Sequence, residues 1–538
     1  MIDSRAPGRQ LAAMETSAAV LRGDQRWLTI GGLLRDVSRV HGEQVAIEDG
    51  PLRLSYAELQ GEVARIAKAL LAHGLLPGQA VAIWAPNVAE FILVTLAAQL
   101  VGGFVVPINT RYKGEEAAFL LGRSQASILF TVRGFLGADY PALLAGRDLP
   151  ALCQTVCFRT PEFSAFLVSG LSVTDADLQE RESAVGPESV SDVLFTSGTT
   201  GHPKGVPSTH AQTLRVFDEW ARVVGLRAAD RYLVVPPFFH CFGYKAGWLA
   251  CLMTGATIVP QAIFDVSQVL ARIENDRITV LTGPPTLYQS ILSSEERSRY
   301  DLTTLRLAVT GAAVIPVKLI DEMRSVLGFE TVLTAYGLTE CCGVATMCRQ
   351  GDDAETVATT SGRAISDTEV IIARSDGTAA DPGEAGEVWI RGYNVMSAYL
   401  DEIEETASAL DAAGFLHTGD IGLMDAAGNL RITDRLKDMF IVGGFNAYPA
   451  EIEAVLGRHD DLERVAVVGV PDGRLGEVGV AFCVLRPGVS LDADALTAWA
   501  RERLANYKVP RYFRAVEALP LNASGKVLKR TLRLDFRV

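Results

Sequence analysis

Ala80-Val-Ala-Ile-Trp84 and Phe104-Val-Val-Pro-Ile108 are short runs, apolar from end to end, separated by a Pro86-Asn87 turn and a helix-like stretch from Glu90 to Leu100. Runs of this kind read as buried strands, and strand, helix, strand at this pitch describes a parallel sheet with crossover helices. Upstream, Ser55 stands three residues before Glu58 in a capping-box pattern. Val63, Ile66, Ala67, Leu70 and Leu71 follow at helical spacing until Gly74 and Pro77-Gly78 close the segment. Downstream the alternation recurs in the short apolar runs 232–235, 257–259, 279–281, 307–309 and 331–333. The expected body is therefore a large α/β domain of layered sheets.

From about Ala373 the texture changes. Gly386-Glu-Val-Trp-Ile390, Gly419-Asp420 and Gly428-Asn-Leu-Arg-Ile-Thr433 are short segments punctuated by Gly and Asp turns, which read as a β-rich closing subdomain. A new unit starts after Asp434-Arg-Leu-Lys-Asp438, with helices expected over 449–458 and 493–504 and strands over 465–470 and 480–485, enough for one small α+β domain. The expected organisation is an N-terminal extension over 1–25, a large domain over 26–434 and a small C-terminal domain over 435–538.

A chain of 538 residues with 49% apolar content exceeds one ordinary core. A net charge of −14 without a dense Lys/Arg run speaks against nucleic acid as a partner. Asp3, Arg5 and Arg9 lack an apolar core behind them, so no secretory signal is expected, and the apolar region 94–108 is interrupted by Gln99, Gly102, Gly103 and Pro107, too short and broken to span a bilayer. A cytoplasmic protein without an integral membrane segment is the expectation. Neither Cys153-x-x-x-Cys157 nor Cys341-Cys342 has a second pair at zinc spacing, which speaks against a structural metal or disulfide.

The chemistry centres on Phe195-Thr-Ser-Gly-Thr-Thr-Gly-His-Pro-Lys-Gly-Val206. After an apolar strand, Gly198, Gly201 and Gly205 let the backbone turn with its amides inward, while Thr196, Ser197, Thr199, Thr200 and Lys204 offer donors to phosphate oxygens. The spacing fits neither a Walker loop, since Pro203 stands where a second glycine is required, nor a Gly-x-Gly-x-x-Gly fingerprint. Further on, Thr334-Ala-Tyr-Gly-Leu-Thr-Glu340 follows an apolar run, where strands present their carboxyl ends to ligands. Tyr336 suits stacking on a purine, Gly337 a close backbone approach, Thr339 a phosphate contact and Glu340 a magnesium ion.

Thr-Ser-Gly-Thr-Thr-Gly-x-Pro-Lys-Gly resembles the signature of adenylate-forming enzymes, the acyl-CoA synthetase and firefly-luciferase group. Five further segments occur in that family's order: Thr310-Gly-Ala-Ala313, Thr334 to Glu340, His417-Thr-Gly-Asp420 with Asp434-Arg435, Phe440-Ile-Val-Gly-Gly-Phe445 and Pro520-Leu-Asn-Ala-Ser-Gly-Lys526. The resemblance covers nearly the whole chain. It implies ATP, magnesium and CoA as cofactors. Thr196 to Lys204 would hold phosphates. Gly311, Ala312, Ala313, Ala335, Tyr336, Gly337, Leu338, Asp420, Ile432 and Arg435 would surround the nucleotide. Gly443 and Gly444 would line the route of the CoA arm, and Lys437 would be the hinge of a mobile C-terminal domain. Lys526, with Thr339 and Glu340, would be catalytic.

The resemblance places the acyl pocket at Pro236-Pro-Phe-Phe-His-Cys-Phe-Gly-Tyr-Lys-Ala-Gly-Trp248, with His240 beside the carboxylate and Phe242, Gly243, Lys245 and Trp248 shaping the wall. This version looks like the actinobacterial ligases that load CoA onto an indanedione propanoate derived from sterol rings. Trp248 and Cys341-Cys342 depart from that pattern, so a medium-chain or aromatic acid stays open. A carrier-protein-loading enzyme and a luciferase-like oxidative relative share the first half-reaction. The absence of a carrier domain in the twelve residues after Lys526 favours the free-standing CoA ligase. Monomer and dimer are both compatible with the sequence.

Overall fold

A computed structural model describes residues 25–197, 202–311, 315–374, 376–435, 440–447, 449–520, 527 and 529–536. Gly198, Thr199, Thr200, Gly201, Ala312, Ala313, Lys437 and Lys526 lie outside the described residues, as do the side chains of Ser197 and Arg435.

The apolar runs at 80–84 and 104–108 form strands Ala80–Trp84 and Phe104–Pro107, paired in parallel and joined by helix Ala89–Leu100. That helix is buried on nearly every face, because it lies within the main core that unites elements of two sheets. Among the described residues the first sheet has six strands, in the order 203–209, 190–197, 104–107, 80–84, 128–131, 154–157. All neighbours are parallel except Pro203–Thr209, which pairs antiparallel with Val190–Ser197 from Pro203 opposite Ser197 onward. Pro203 to Val206, read as the tail of a phosphate-binding turn, are therefore already in a strand.

Among the described residues the second sheet has nine strands, of which Val45–Asp49, Thr257–Pro260, Arg231–Val234, Val280–Thr282, Leu307–Thr310 and Thr331–Tyr336 are neighbouring parallel strands. The expected capping box is present. The Ser55 hydroxyl accepts the Glu58 amide and the Glu58 carboxylate accepts the Ser55 amide, opening helix Tyr56–Ala72. The closing subdomain is an antiparallel sheet of Thr368–Ala373, Gly386–Gly392, Leu416–Met424 and Leu430–Arg435. Here the Gly419-Asp420 turn is corrected. Both residues run through the middle of one nine-residue strand, and Gly419 takes φ +69° just before a register shift at Ile421/Gly422. The pair thus bends a strand without ending it.

The C-terminal unit carries its own cores around Phe440, Ile452, Val467 and Leu504 on one face of its sheet and Val468, Val480 and Leu519 on the other. Among the described residues, no helix is long and apolar enough to cross a membrane.

His210 begins helix His210–Val224 directly after the hairpin, fully buried, with Nδ1 accepting the Ile30 amide at 3.1 Å. Burial lowers its pKa to about 4. The neutral ring therefore contributes stability that is fully present above about pH 6.5 and is lost as pH falls toward 4, on the order of 3 kcal/mol. Denaturant midpoints measured across this window should fall in the wild type and fall less in His210→Gln.

Candidate active site

Because the central strands of the nine-stranded sheet are parallel, their carboxyl ends share one edge, where open α/β sheets bind ligands. Arg231–Val234 leads into Pro236-Pro237 and His240, Val280–Thr282 into Gly283-Pro284, Leu307–Thr310 into Gly311, and Thr331–Tyr336 into Gly337 to Glu340. His240, Gly311 and the 335–340 segment, all singled out from the sequence, follow these strands.

Tyr336 and Asp420 tie the large sheet to the closing sheet. The phenol donates to Asp420 Oδ2 at 2.7 Å. Burial first, and the charge of Asp420 second, push the Tyr336 phenol far above its usual range, so at neutral pH it remains a donor. Asp420 is only 3% exposed, and its strand partner across the closing sheet is Arg435. Ile432, opposite Gly422 in the same pair of strands, is half-buried against the closing core.

Glu340 stands on a tight 3₁₀ turn, Thr339–Cys341. Its carbonyl accepts the Met396 amide at 2.7 Å and its Oε1 accepts the Tyr399 hydroxyl at 2.8 Å. The Tyr399 ring lies 5.0 Å from the Lys204 ammonium, and Lys204 is ion-paired with Glu405. The Leu400 amide donates to the Gly205 carbonyl at 2.8 Å. Hairpin, 337–343 loop and 396–409 segment are thus knitted together around the expected phosphate position. Tyr399 and Glu405 were not singled out from the sequence. Their partners lie 59 and 201 residues away, so no local pattern announces them.

Gly337 has a packing task in this loop. A Cβ there would meet the Gly343 carbonyl oxygen at 2.3 Å, so the loop folds back on itself only with glycine. Gly243 likewise packs against the carbonyl oxygens of Pro236 and Pro237, which would stand 2.2 and 2.3 Å from a Cβ at that position. His240 stays open to solvent, with Nδ1 accepting the Phe242 amide at 3.2 Å, and surrounding protein lowers its pKa below the ordinary value. Phe242 is half-buried against the main core.

Lys245 and Trp248 differ from the expected pocket wall. Lys245 is fully enclosed, its ammonium 2.9 Å from Asp192 Oδ1, 2.9 Å from Ser208 Oγ and 3.5 Å from Cys342 Sγ. Trp248 is also fully buried, stacked on Tyr244 with ring centres 4.8 Å apart. Both lie in the widened helical turn Tyr244–Leu249, which sequence periodicity of ordinary helices does not reveal. Lys245→Met should therefore cost about 3–5 kcal/mol of stability by stranding the Asp192 charge. A lowered denaturant midpoint is the expected result. An unchanged midpoint with a raised KM for the acid would return Lys245 to the pocket.

At the cleft mouth Gly443 and Gly444 take φ +55° and +85°, and a methyl group on Gly444 would lie 3.3 Å from the Pro284 ring. The double-glycine turn of the small lobe is thus set against the body at the end of Val280–Thr282. Among the described residues no three His, Cys, Asp or Glu side chains could cage a metal.

Comparison with known families matches residues 34–400 to the AMP-binding enzymes and residues 451–526 to the AMP-binding enzyme C-terminal domain. The chain belongs to the adenylate-forming acyl-CoA synthetases. It is 52% identical over 487 residues, 89% of this chain and 94% of the other, to the 3-(7a-methyl-1,5-dioxo-octahydro-1H-inden-4-yl)propanoyl:CoA ligase of Mycobacterium tuberculosis. It is 47% identical over 516 residues, 94% of this chain and 98% of the other, to the ligase of the same description from Rhodococcus jostii. Among solved structures, a double mutant of o-succinylbenzoate CoA synthetase from Bacillus subtilis, bound to a product analogue, superposes with a TM-score of 0.79 at 30% identity, covering 93% of this chain and 98% of that one.

Proposed function

We propose that this synthetase activates the propanoate side chain of a fused bicyclic diketone and passes the acyl group to CoA. The acid class rests on two relatives at 52% and 47% identity that share one described substrate. The site is compatible with that reading. Tyr336, Glu340 and His240 follow the parallel strands of the large sheet, Asp420 of the closing sheet is bonded to Tyr336, and the double-glycine turn faces Pro284.

A carboxylate has a pKa near 4, so at neutral pH it attacks the α-phosphorus of ATP without a general base. A carboxylate oxygen to phosphorus bond forms, the bond to the bridging oxygen breaks, and pyrophosphate leaves. Two anions meet in this step, so positioning and positive charge supply most of the catalysis. Lys526 would bridge the carboxylate and the α-phosphate, with the 196–204 bend on the β and γ phosphates. Lys204 must exchange Glu405 for phosphate to take part. In the second step the CoA sulfur attacks the acyl carbonyl carbon, the carbonyl to phosphate-oxygen bond breaks, and AMP leaves.

The Glu340 carboxylate fits a magnesium ion. It is one hard oxygen donor, linked through Tyr399 to the hairpin of Lys204, and magnesium is commonly held by one or two carboxylates together with substrate phosphates. When bound it would offset triphosphate charge.

The test is a panel of linear fatty acids, cinnamates, benzoates and bicyclic diketone propanoates, read by AMP release and by acyl-CoA mass. The diketone propanoate is expected to exceed the others in kcat/KM by about a hundredfold, the scale of a few kcal/mol of pocket complementarity. A linear or aromatic acid at the top of the panel would overturn the acid class.

A further inference from the structure

The two lobes meet over a buried ion cluster that the chemistry above does not use. Lys508, 1% exposed, directs its ammonium to Glu116 Oε1 of the body at 3.0 Å and to Glu451 Oε1 of the small lobe at 2.5 Å. The Tyr112 ring of the body lies 4.2 Å from the ammonium and the adjacent Tyr507 ring 5.7 Å. Burial alone would lower the Lys508 pKa, but these phenols and carboxylates outweigh it and hold the ammonium charged. One cation thus offsets two carboxylates drawn from different lobes. Without Glu116 facing it across the boundary, that desolvated cation keeps only its own lobe's carboxylate.

The cluster is coupled to the cleft mouth. Tyr507 stacks on Phe445 with ring centres 4.8 Å apart, and its hydroxyl accepts from Asn109 Nδ2 of the body at 3.2 Å. Phe445 follows Gly444, the glycine set against Pro284. A continuous path runs from Glu116 through Lys508, Tyr507 and Phe445 to Gly444. Ala505 and Tyr507 pack on the body's apolar cluster and Gly444 faces Pro284, while the other named contacts across this boundary are polar, including Arg458 to Glu115 at 2.8 Å. Polar boundaries of this kind permit relative motion of the lobes.

We infer that Lys508 is a positioning residue that clamps the small lobe through Glu116, so that the Gly443 to Phe445 turn is registered over the cleft for attack by the thiol. It takes no part in forming the adenylate. The inference rests on the ligase reading above.

Wild type, Glu116→Gln, Lys508→Met and Lys508→Arg are compared in two single-turnover assays with the acid that the wild type uses best. The first follows pyrophosphate release without CoA; the second follows acyl-CoA formation from preformed acyl-adenylate and CoA. Glu116→Gln and Lys508→Met should keep the first rate within about twofold and slow the second by on the order of tenfold to a hundredfold, with Lys508→Arg recovering much of the loss. Equal loss in both assays, or an unchanged second rate in Glu116→Gln, overturns the clamp. If Lys508→Met fails to fold, Glu116→Gln decides alone, because it changes the body and leaves the lobe's own packing intact. Amide exchange over 451–456 and 505–509 should also rise in Glu116→Gln, and unchanged exchange counts against the clamp. If the wild type makes AMP with some acid but no acyl-CoA, the ligase reading fails, and the exchange measurement still judges the clamp.

Discussion

Lys526→Ala should abolish acid-dependent pyrophosphate release, by about a thousandfold or more, while acyl-CoA formation from preformed acyl-adenylate stays largely intact. The magnitude follows from the step. A preorganised donor aimed at charge developing on transferred groups is worth on the order of a hundred- to a thousandfold. A lysine bridging two anions also offsets their ground-state repulsion. The second half-reaction has no such encounter, since a thiol attacks an activated carbonyl and AMP is already a good leaving group. Equal loss in both steps would contradict the division of labour. The result is the mirror image of the clamp variants, which should slow only the second step, so the two sets together separate the steps.

Gly444→Trp should do the reverse, leaving pyrophosphate release near wild type and reducing CoA transfer by about a hundredfold. Two features set the size. The residue has φ +85°, a conformation that costs a non-glycine residue on the order of 1–2 kcal/mol. Its first side-chain atom would stand 3.3 Å from Pro284, so an indole must fill the space between turn and body or push the turn away. Either outcome obstructs a thiol arriving along that turn. A parallel loss of adenylation, measured by pyrophosphate release without CoA, would place the turn in the first step and remove its assignment to CoA.

How much was legible in the sequence depended on whether the decisive contacts were local. Strands such as Ala80–Trp84 and Thr331–Tyr336 are apolar for most of their length and stand at the pitch of a parallel sheet, so their class was readable. The box at Ser55 and Glu58 is closed within one turn and was readable too. The Gly419-Asp420 pair misled because composition reports a bend without saying whether pairing continues, and here pairing with strand 430–435 continues past the bend. Pro203 to Val206 misled for a related reason. Their strand exists because Val190–Ser197 lies alongside, which no local pattern states. At the site, Tyr336, Glu340 and Asp420 are singled out by motif order, and the structure joins the first to the last by a hydrogen bond. Lys245 was misplaced because an ammonium near an acyl pocket looks like a substrate contact until Asp192, 53 positions earlier, is seen beside it.

The bond between Tyr336 and Asp420 bears on what the ribose would gain. A nearly buried carboxylate is costly to leave without donors, and the phenol supplies one. Sugar hydroxyls arriving at Asp420 would therefore trade for an existing partner or share it, and the net affinity would be well below the gross strength of the contacts formed. The compensation would be readiness, since the Tyr336–Asp420 bond itself fastens the two sheets. Recognition at this position should then show a small heat-capacity change and little reordering of either sheet, as expected of a socket assembled in advance.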